Sequence, residues 1–165
     1  RGRDVAARQG RLRRLVAGAD RPVVVVAVGG GSSMDSAKVI ALHATNRRAV
    51  MALGYHDETV APGPPVVAIP TTAGTGAETN TYGVITDEFV GRKGYVGHES
   101  VLPKVAILDP ELTLALPPEP TAATGVDAMT HSLESLLSAN PNPLAEAIVG
   151  HAREPHPSRD LYQKP

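Results

Sequence analysis

The chain has 165 residues and not one cysteine. That absence rules out disulfides, thiolate metal sites and a cysteine nucleophile. Neither sign of charge prevails, since 16 basic residues face 17 acidic ones, so nothing draws the chain to nucleic acid or to acidic membranes. No apolar run approaches the ~18 residues that a membrane-spanning helix requires. There is no internal repeat, and no G-x-G-x-x-G fingerprint of the usual dinucleotide fold. The first residue is Arg and not Met, so the lack of a signal peptide says little about location. The opening RGRDVAARQGRLRR reads as the exposed end of a helix entered midway, and the expectation is a fragment. Its length suits one cored domain or parts of two.

What is present begins with Val23 to Val28, an apolar, β-branched run of the kind found in parallel strands covered on both faces. Gly29, Gly30 and Gly31 follow at once. They permit positive φ and close approach of a ligand to the backbone, while Ser32 or Ser33 can cap a helix whose first N–H groups lack partners. Such a turn suits pyrophosphate. The plain alternative is a tight strand-to-helix connection with no ligand.

The pattern of apolar runs and breakers predicts a helix over about 4–18, a strand over 23–28, a helix over about 32–45, and a loop holding Gly54 and Ala61-Pro-Gly-Pro-Pro65. A short buried strand follows at Val66 to Ile69, and the strand–helix–strand order indicates a parallel α/β layer. Thr81 to Thr86 and Arg92 to Val96 read as a hairpin around 87–91, and Val105 to Leu108 as one more strand. Pro117, Pro118 and Pro120 mark a boundary before a helical pattern from Thr121 to Ser138, whose apolar face includes Val126, Met129, Leu133, Leu136 and Leu137.

Two further clusters bear chemistry. Pro70-Thr-Thr-Ala-Gly-Thr-Gly-Ala-Glu78 follows a strand end, and the hydroxyls of Thr71, Thr72 and Thr75 can bind phosphate, ribose or a nicotinamide amide, or merely close a local turn. Lys93 in the hairpin can reach an anionic ligand or stand solvated. Asp127 and His131 are four apart on the expected helix, so both leave one face. A carboxylate with an imidazole suits Fe²⁺, Zn²⁺ or Mn²⁺, although the same spacing also makes ordinary surface ion pairs.

Taken in order, VGGGSSMDSAK, IPTTAGTGAE, LPKVAILDPELTLALPP and TAATGVDAMTHSLES resemble the successive signatures of the iron-containing, group III alcohol dehydrogenases, over roughly residues 20–150. The resemblance implies an α/β Rossmann-like dinucleotide-binding domain followed by the start of an all-α domain, the dehydroquinate synthase-like architecture. The dinucleotide-binding domain would occupy 1–117 with its N-terminal part missing, the first helix or helices of the metal-binding domain 118–150, and a disordered tail 151–165. By matching positions, Gly30, Gly31 and Ser32 would hold the cofactor pyrophosphate with Asp35 nearby. Thr71, Thr72, Thr75 and Lys93 would line the cofactor, and Asp127 and His131 would be the first two metal ligands. The implied activity is that of an oxidoreductase. Hydride would pass between a small alcohol or aldehyde and NAD or NADP, with Lewis-acid help from a divalent metal, Fe²⁺ first and Zn²⁺ second. The full-length form would be a cytoplasmic homo-oligomer without nucleic-acid or membrane partners.

Alternatives are a related dehydrogenase of the maleylacetate reductase or glycerol dehydrogenase type, or a cofactor-binding fragment without turnover. The departures favour inactivity of this chain alone. Two further histidine ligands are expected well beyond residue 150, and the first strand and helix of the nucleotide domain, with the acidic residue that would choose between NAD and NADP, would precede Arg1. Pro155 and Pro157 interrupt the closing segment, so His151 and His156 are not read as substitutes. Elsewhere, His43 is expected at a helix end near the dipole, His56 and His98 in solvated loops, and Asp109 as a cap.

Overall fold

The computed structural model describes residues 24–87, 90–140, 142, 143 and 149. The helix expected over 4–18 and the segment 151–165, with His151 and His156, lie outside them. Strand β1 (Val25–Gly29) leads through helix α1 (Gly31–Asn46) to strand β2 (Val66–Pro70). Strands β3 (Tyr82–Asp87) and β4 (Arg92–Gly97) follow, then β5 (Val105–Ala106) and helix α2 (Pro118–Leu137).

The parallel sheet runs β1-β2-β5, with Val25 opposite Val66, Gly29 opposite Pro70 and Ala68 opposite Ala106. Its β-branched residues favour the pleated backbone, and α1 provides the crossover that parallel pairing requires. β3 and β4 form the antiparallel hairpin, Tyr82 opposite Gly97 and Asp87 opposite Arg92. α1 contacts the sheet and the hairpin, so it lies between them as a middle layer.

The core has two parts. Val39, Ala41, Leu42, Leu53, Val60, Val66, Val96 and Val101 fill the C-terminal half of α1 and its surroundings. Ala27, Met34, Ala37, Ala68 and Ala77 pack under its N-terminal half, where the glycine turn and threonine loop meet. Ala27 and Ala68 are paired in register, and such small side chains let the helix start sit low on the strand ends. Gly83 serves the same end on the opposite side, because a Cβ there would stand 2.7 Å from the Asp35 carbonyl oxygen.

Several expectations change. Neither serine caps α1: Gly30 is its N-cap, without a side-chain bond, and Ser32 and Ser33 fall inside the first turn. β5 is two residues long and not four, although Ile107 still donates to the Ala68 carbonyl at 2.8 Å. Pro118 and Pro120 do not precede the second helix but start it, in the turn where a missing N–H costs nothing. His98 is half-buried and not a solvated loop residue, its Nδ1 accepting from the Ser100 N–H at 3.0 Å to cap a short turn. His43 sits in the last turn of α1 with Nδ1 2.9 Å from the Arg48 carbonyl. Asp109 is a cap, accepting from Glu111 N–H at 3.0 Å.

The sheet face carrying Val24, Val26 and Val28 is open among the described residues, where cover on both faces was expected. The apolar face of α2 is bare too, with Val126 62% and Met129 67% exposed. No described helix is long and apolar enough to cross a membrane.

Candidate functional site

The site is assembled where β1 and β2 end. Gly29 has φ +143°, and a Cβ there would lie 2.4 Å from the Ser33 hydroxyl, so this glycine is demanded by both conformation and space. Gly30 needs no such freedom, since its φ is −81°. What Gly30 and Gly31 provide is room for the second loop. A Cβ on Gly30 would meet Thr72 Cγ2 at 3.1 Å, and one on Gly31 would meet Thr75 Cγ2 at 2.9 Å. The Thr71 N–H donates to the Gly29 carbonyl at 2.9 Å and locks the loops together. The two motifs are therefore one structure, with threonine side chains laid over a glycine floor.

Within it, the Thr72 hydroxyl oxygen is buried and has no hydrogen-bond partner. A buried hydroxyl left unpaired costs about 1–3 kcal/mol, so such groups usually have a ligand, water or functional reason. It faces Gly30, the N-cap of α1, whose first N–H groups have no carbonyl a turn earlier to bond. Thr75 Oγ1 is engaged at long range with the Ala77 N–H, 3.4 Å away.

Asp35 is half-buried, and its Oδ2 accepts from the Val84 N–H at 3.0 Å, tying α1 to β3. Burial pushes its carboxyl above the usual range, partly offset by that bond and by Lys38. Lys93 is exposed on β4 opposite Thr86 and makes no hydrogen bond or ion pair among the described residues.

Lys38 is the residue that the sequence reading missed. It is fully buried, and its ammonium donates to the Ala77 carbonyl at 2.6 Å, to Asn80 Oδ1 at 2.5 Å and to the Tyr82 carbonyl at 2.9 Å. Burial lowers its pKa to about 8, against the pull of Asp35 and Glu78. The signal was its helical position: one turn beyond Asp35 and Met34, on the covered face of α1.

Asp127 and His131 do lie together on α2, His131 Nε2 3.8 Å from Asp127 Oδ1. His131 Nδ1 is 3.3 Å from the Gly74 carbonyl, which can only accept, so Nδ1 carries a proton and Nε2 is the nitrogen turned to the carboxylate. With Nε2 free of a proton, the ring and the carboxylate would offer one cation two lone pairs. At metal–ligand distances of about 2.0–2.2 Å one divalent cation reaches both, and a ring N–H held by a carbonyl is the usual outer support of a metal-binding histidine. The pair fits half of a ligand set. No group of three or more His, Cys, Asp or Glu able to hold a metal occurs among the described residues.

A parallel sheet with a glycine turn, a helix start and a threonine loop at its strand ends defines a Rossmann-like α/β protein. The sequence profile of the iron-containing alcohol dehydrogenase family matches residues 11–110, and the chain belongs to that family. It is 44% identical over 125 residues to the probable alcohol dehydrogenase EutG of Salmonella typhimurium, covering 76% of this chain and 32% of that protein. An iron-containing alcohol dehydrogenase from Thermotoga maritima superposes with a TM-score of 0.75 at 38% identity, over 86% of this chain and 39% of the other. Sulfoacetaldehyde reductase from Bifidobacterium kashiwanohense, solved with NAD⁺, gives a TM-score of 0.73 at 35% identity, over 79% and 35%. The chain spans about a third of the length of the curated relatives it matches.

Proposed function

We propose that the chain carries the dinucleotide-binding region, residues 1–117, and the start of the metal-binding helical region, 118–150, of an NAD(P)-dependent alcohol dehydrogenase acting on a small alcohol or aldehyde. The buried, unpaired Thr72 hydroxyl over the glycine floor is the observation that supports this most. Gly30, Gly31 and Ser32 would offer backbone N–H groups to the pyrophosphate, with Asp35 one turn further on. Thr72 would donate its hydroxyl to a cofactor oxygen, Thr71 and Thr75 would close the same wall, and Lys93 would reach the cofactor from the hairpin. Asp127 and His131 would hold the cation, Fe²⁺ or Zn²⁺, as two of its ligands.

A bound cation would supply Lewis-acid polarisation of the alcohol oxygen and the nicotinamide would supply the hydride acceptor, so no protein nucleophile is needed. The chain's own part is binding and orientation. Gly74 fixes the His131 ring through its carbonyl, and because Gly74 belongs to the threonine loop, the cofactor wall and the metal pair share one segment.

Titration of the chain with NADH and NADPH, in parallel with Thr72→Val, tests the reading. Valine keeps the shape and removes the unpaired hydroxyl, so the variant should melt at or above the parent temperature while binding cofactor at least about tenfold more weakly. Equal binding by both proteins would refute it. A glycine-to-aspartate change in the turn is less useful, because the Cβ on Gly31 displaces Thr75 before any phosphate is reached.

The pair of donors, with no third in reach among the described residues, also favours cofactor binding without turnover for this chain by itself. Dehydrogenase assays with added Fe²⁺ or Zn²⁺ should then show little activity, and robust turnover would contradict that.

A further inference from the structure

We propose that Lys38 is a positioning residue: by donating to three oxygens of the segment 77–82, its ammonium clamps the threonine loop in the shape that receives the cofactor. This rests on the functional reading above. The acceptors are the Ala77 carbonyl, Asn80 Oδ1 and the Tyr82 carbonyl, at 2.6, 2.5 and 2.9 Å. All three lie just after Gly76, whose φ of +62° turns the chain out of the loop. A lysine has three donors, and here each is used, so Lys38 has no free hydrogen and, fully buried, no path to a substrate. It is a strut and not a nucleophile.

A neutral hydrophobic side chain would fill this space more easily than a buried charge. The charge has a geometric use that no apolar residue can supply, since it converges one carbonyl before Asn80, one side-chain oxygen at it and one carbonyl after it. Tyr82 N–H also donates to Asn80 Oδ1, at 3.2 Å, so the turn closes on itself around the ammonium. The charged neighbours are Asp35 on the same helix and Glu78 on the clamped turn, both favouring the protonated form. From β3 it is the Tyr82 carbonyl that faces Lys38, and β1 and β2 contain no titratable residue.

Deprotonation leaves two donors for three acceptors. With the ammonium titrating at about 8, the clamp is complete below that pH and incomplete above it, so cofactor affinity falls as pH rises through it.

The test uses the full chain, NADH as the probe, and pH from about 6 to about 10, bracketing the titration. The parent should bind equally well up to its titration point and more weakly beyond. Lys38→Met should bind about tenfold more weakly at neutral pH and show no step, because nothing is left to titrate. Asn80→Ala removes one acceptor, and its step should move to lower pH, a shift that general loosening of the turn would not produce. In the absence of cofactor, amide hydrogen exchange across 76–82 should quicken in Lys38→Met. Unchanged affinity and an unchanged pH profile in that variant would overturn the proposal. Should Lys38→Met fail to fold, the direction of the Asn80→Ala step decides. If the parent binds neither NADH nor NADPH, the functional reading fails, and the clamp stands or falls on the exchange rates alone.

Discussion

Gly74→Ala should detach the second helix while leaving the α/β body intact. Gly74 has φ +144°, where a side chain costs about 1–3 kcal/mol in backbone strain. Its added Cβ would stand 2.0 Å from the Thr124 carbonyl oxygen, whereas ordinary contact begins near 3.4 Å, so that oxygen must retreat by about 1.4 Å. A retreat of that size also ends the bond from His131 Nδ1, already long at 3.3 Å. Which partner yields depends on how each is held. The loop is fixed at its base by Thr71 N–H on the Gly29 carbonyl and at its far end by Lys38. α2 has no buried residue at all, and the hydrogen bond from His131 contributes no more than about 0.5–1.5 kcal/mol. The helix therefore yields. Hydrogen-exchange mass spectrometry should show faster exchange over 118–137 in the variant and parent-like exchange over 25–46 and 66–70. The body should stay folded and lose no more than the backbone strain itself, about 1–3 kcal/mol. If α2 keeps its protection and the body instead loses well over ~3 kcal/mol, the clash with Thr124 has gone into the loop and the helix was not the part that yields.

Two other outcomes follow from the same structure. Asp35 has a carboxyl pushed upward by burial, so between its unfolded and folded pKa the native chain holds the extra proton, and stability declines as pH rises through that window. Asp35→Asn can still accept from Val84 N–H and should flatten that part of a pH–stability curve without lowering Tm at pH 7. A clear loss of Tm would mean that the charge itself is needed. Met129 and Leu133 stand 67% and 53% exposed on the bare face of α2. The double change Met129→Glu, Leu133→Lys should reduce self-association in sedimentation velocity while shifting stability by no more than about 0.5 kcal/mol. Unaltered association would place the sticky surface elsewhere, on the open sheet face of Val24, Val26 and Val28.

The pattern of apolar runs and breakers made the α/β layer readable, because β-branched runs next to Gly and Pro clusters have few other uses. Strand β2 and the hairpin fall within a residue or so of their expected ends. The errors came where tertiary contacts overrule local chemistry. Ser32 and Ser33 are good capping residues, but the low approach of α1 to the strand ends hands the cap to Gly30. The three glycines read alike in sequence and do different things in space: one bends the backbone, and two make room for threonines contributed by a loop some forty residues later. Lys38 escaped notice because a lysine is usually solvated, and nothing local reveals that three oxygens wait for it beyond residue 76.

That same long-range pairing sets the order in which the site can be built. Lys38 shapes the loop from behind, the loop lays Thr72 and Thr75 over the glycine floor in front, and its Gly74 carbonyl holds the His131 ring above. Each link is a contact between segments far apart in sequence, and each depends on the one before. A disturbance at Lys38 should therefore reach both the proposed cofactor wall and the Asp127–His131 pair, whereas one at His131 should stop at α2. The asymmetry follows from burial, since Lys38 is wholly enclosed and the His131 side chain is 51% exposed. Perturbation accordingly travels from the core outward through the loop, and the loop, more than either motif it joins, is what makes this a single site.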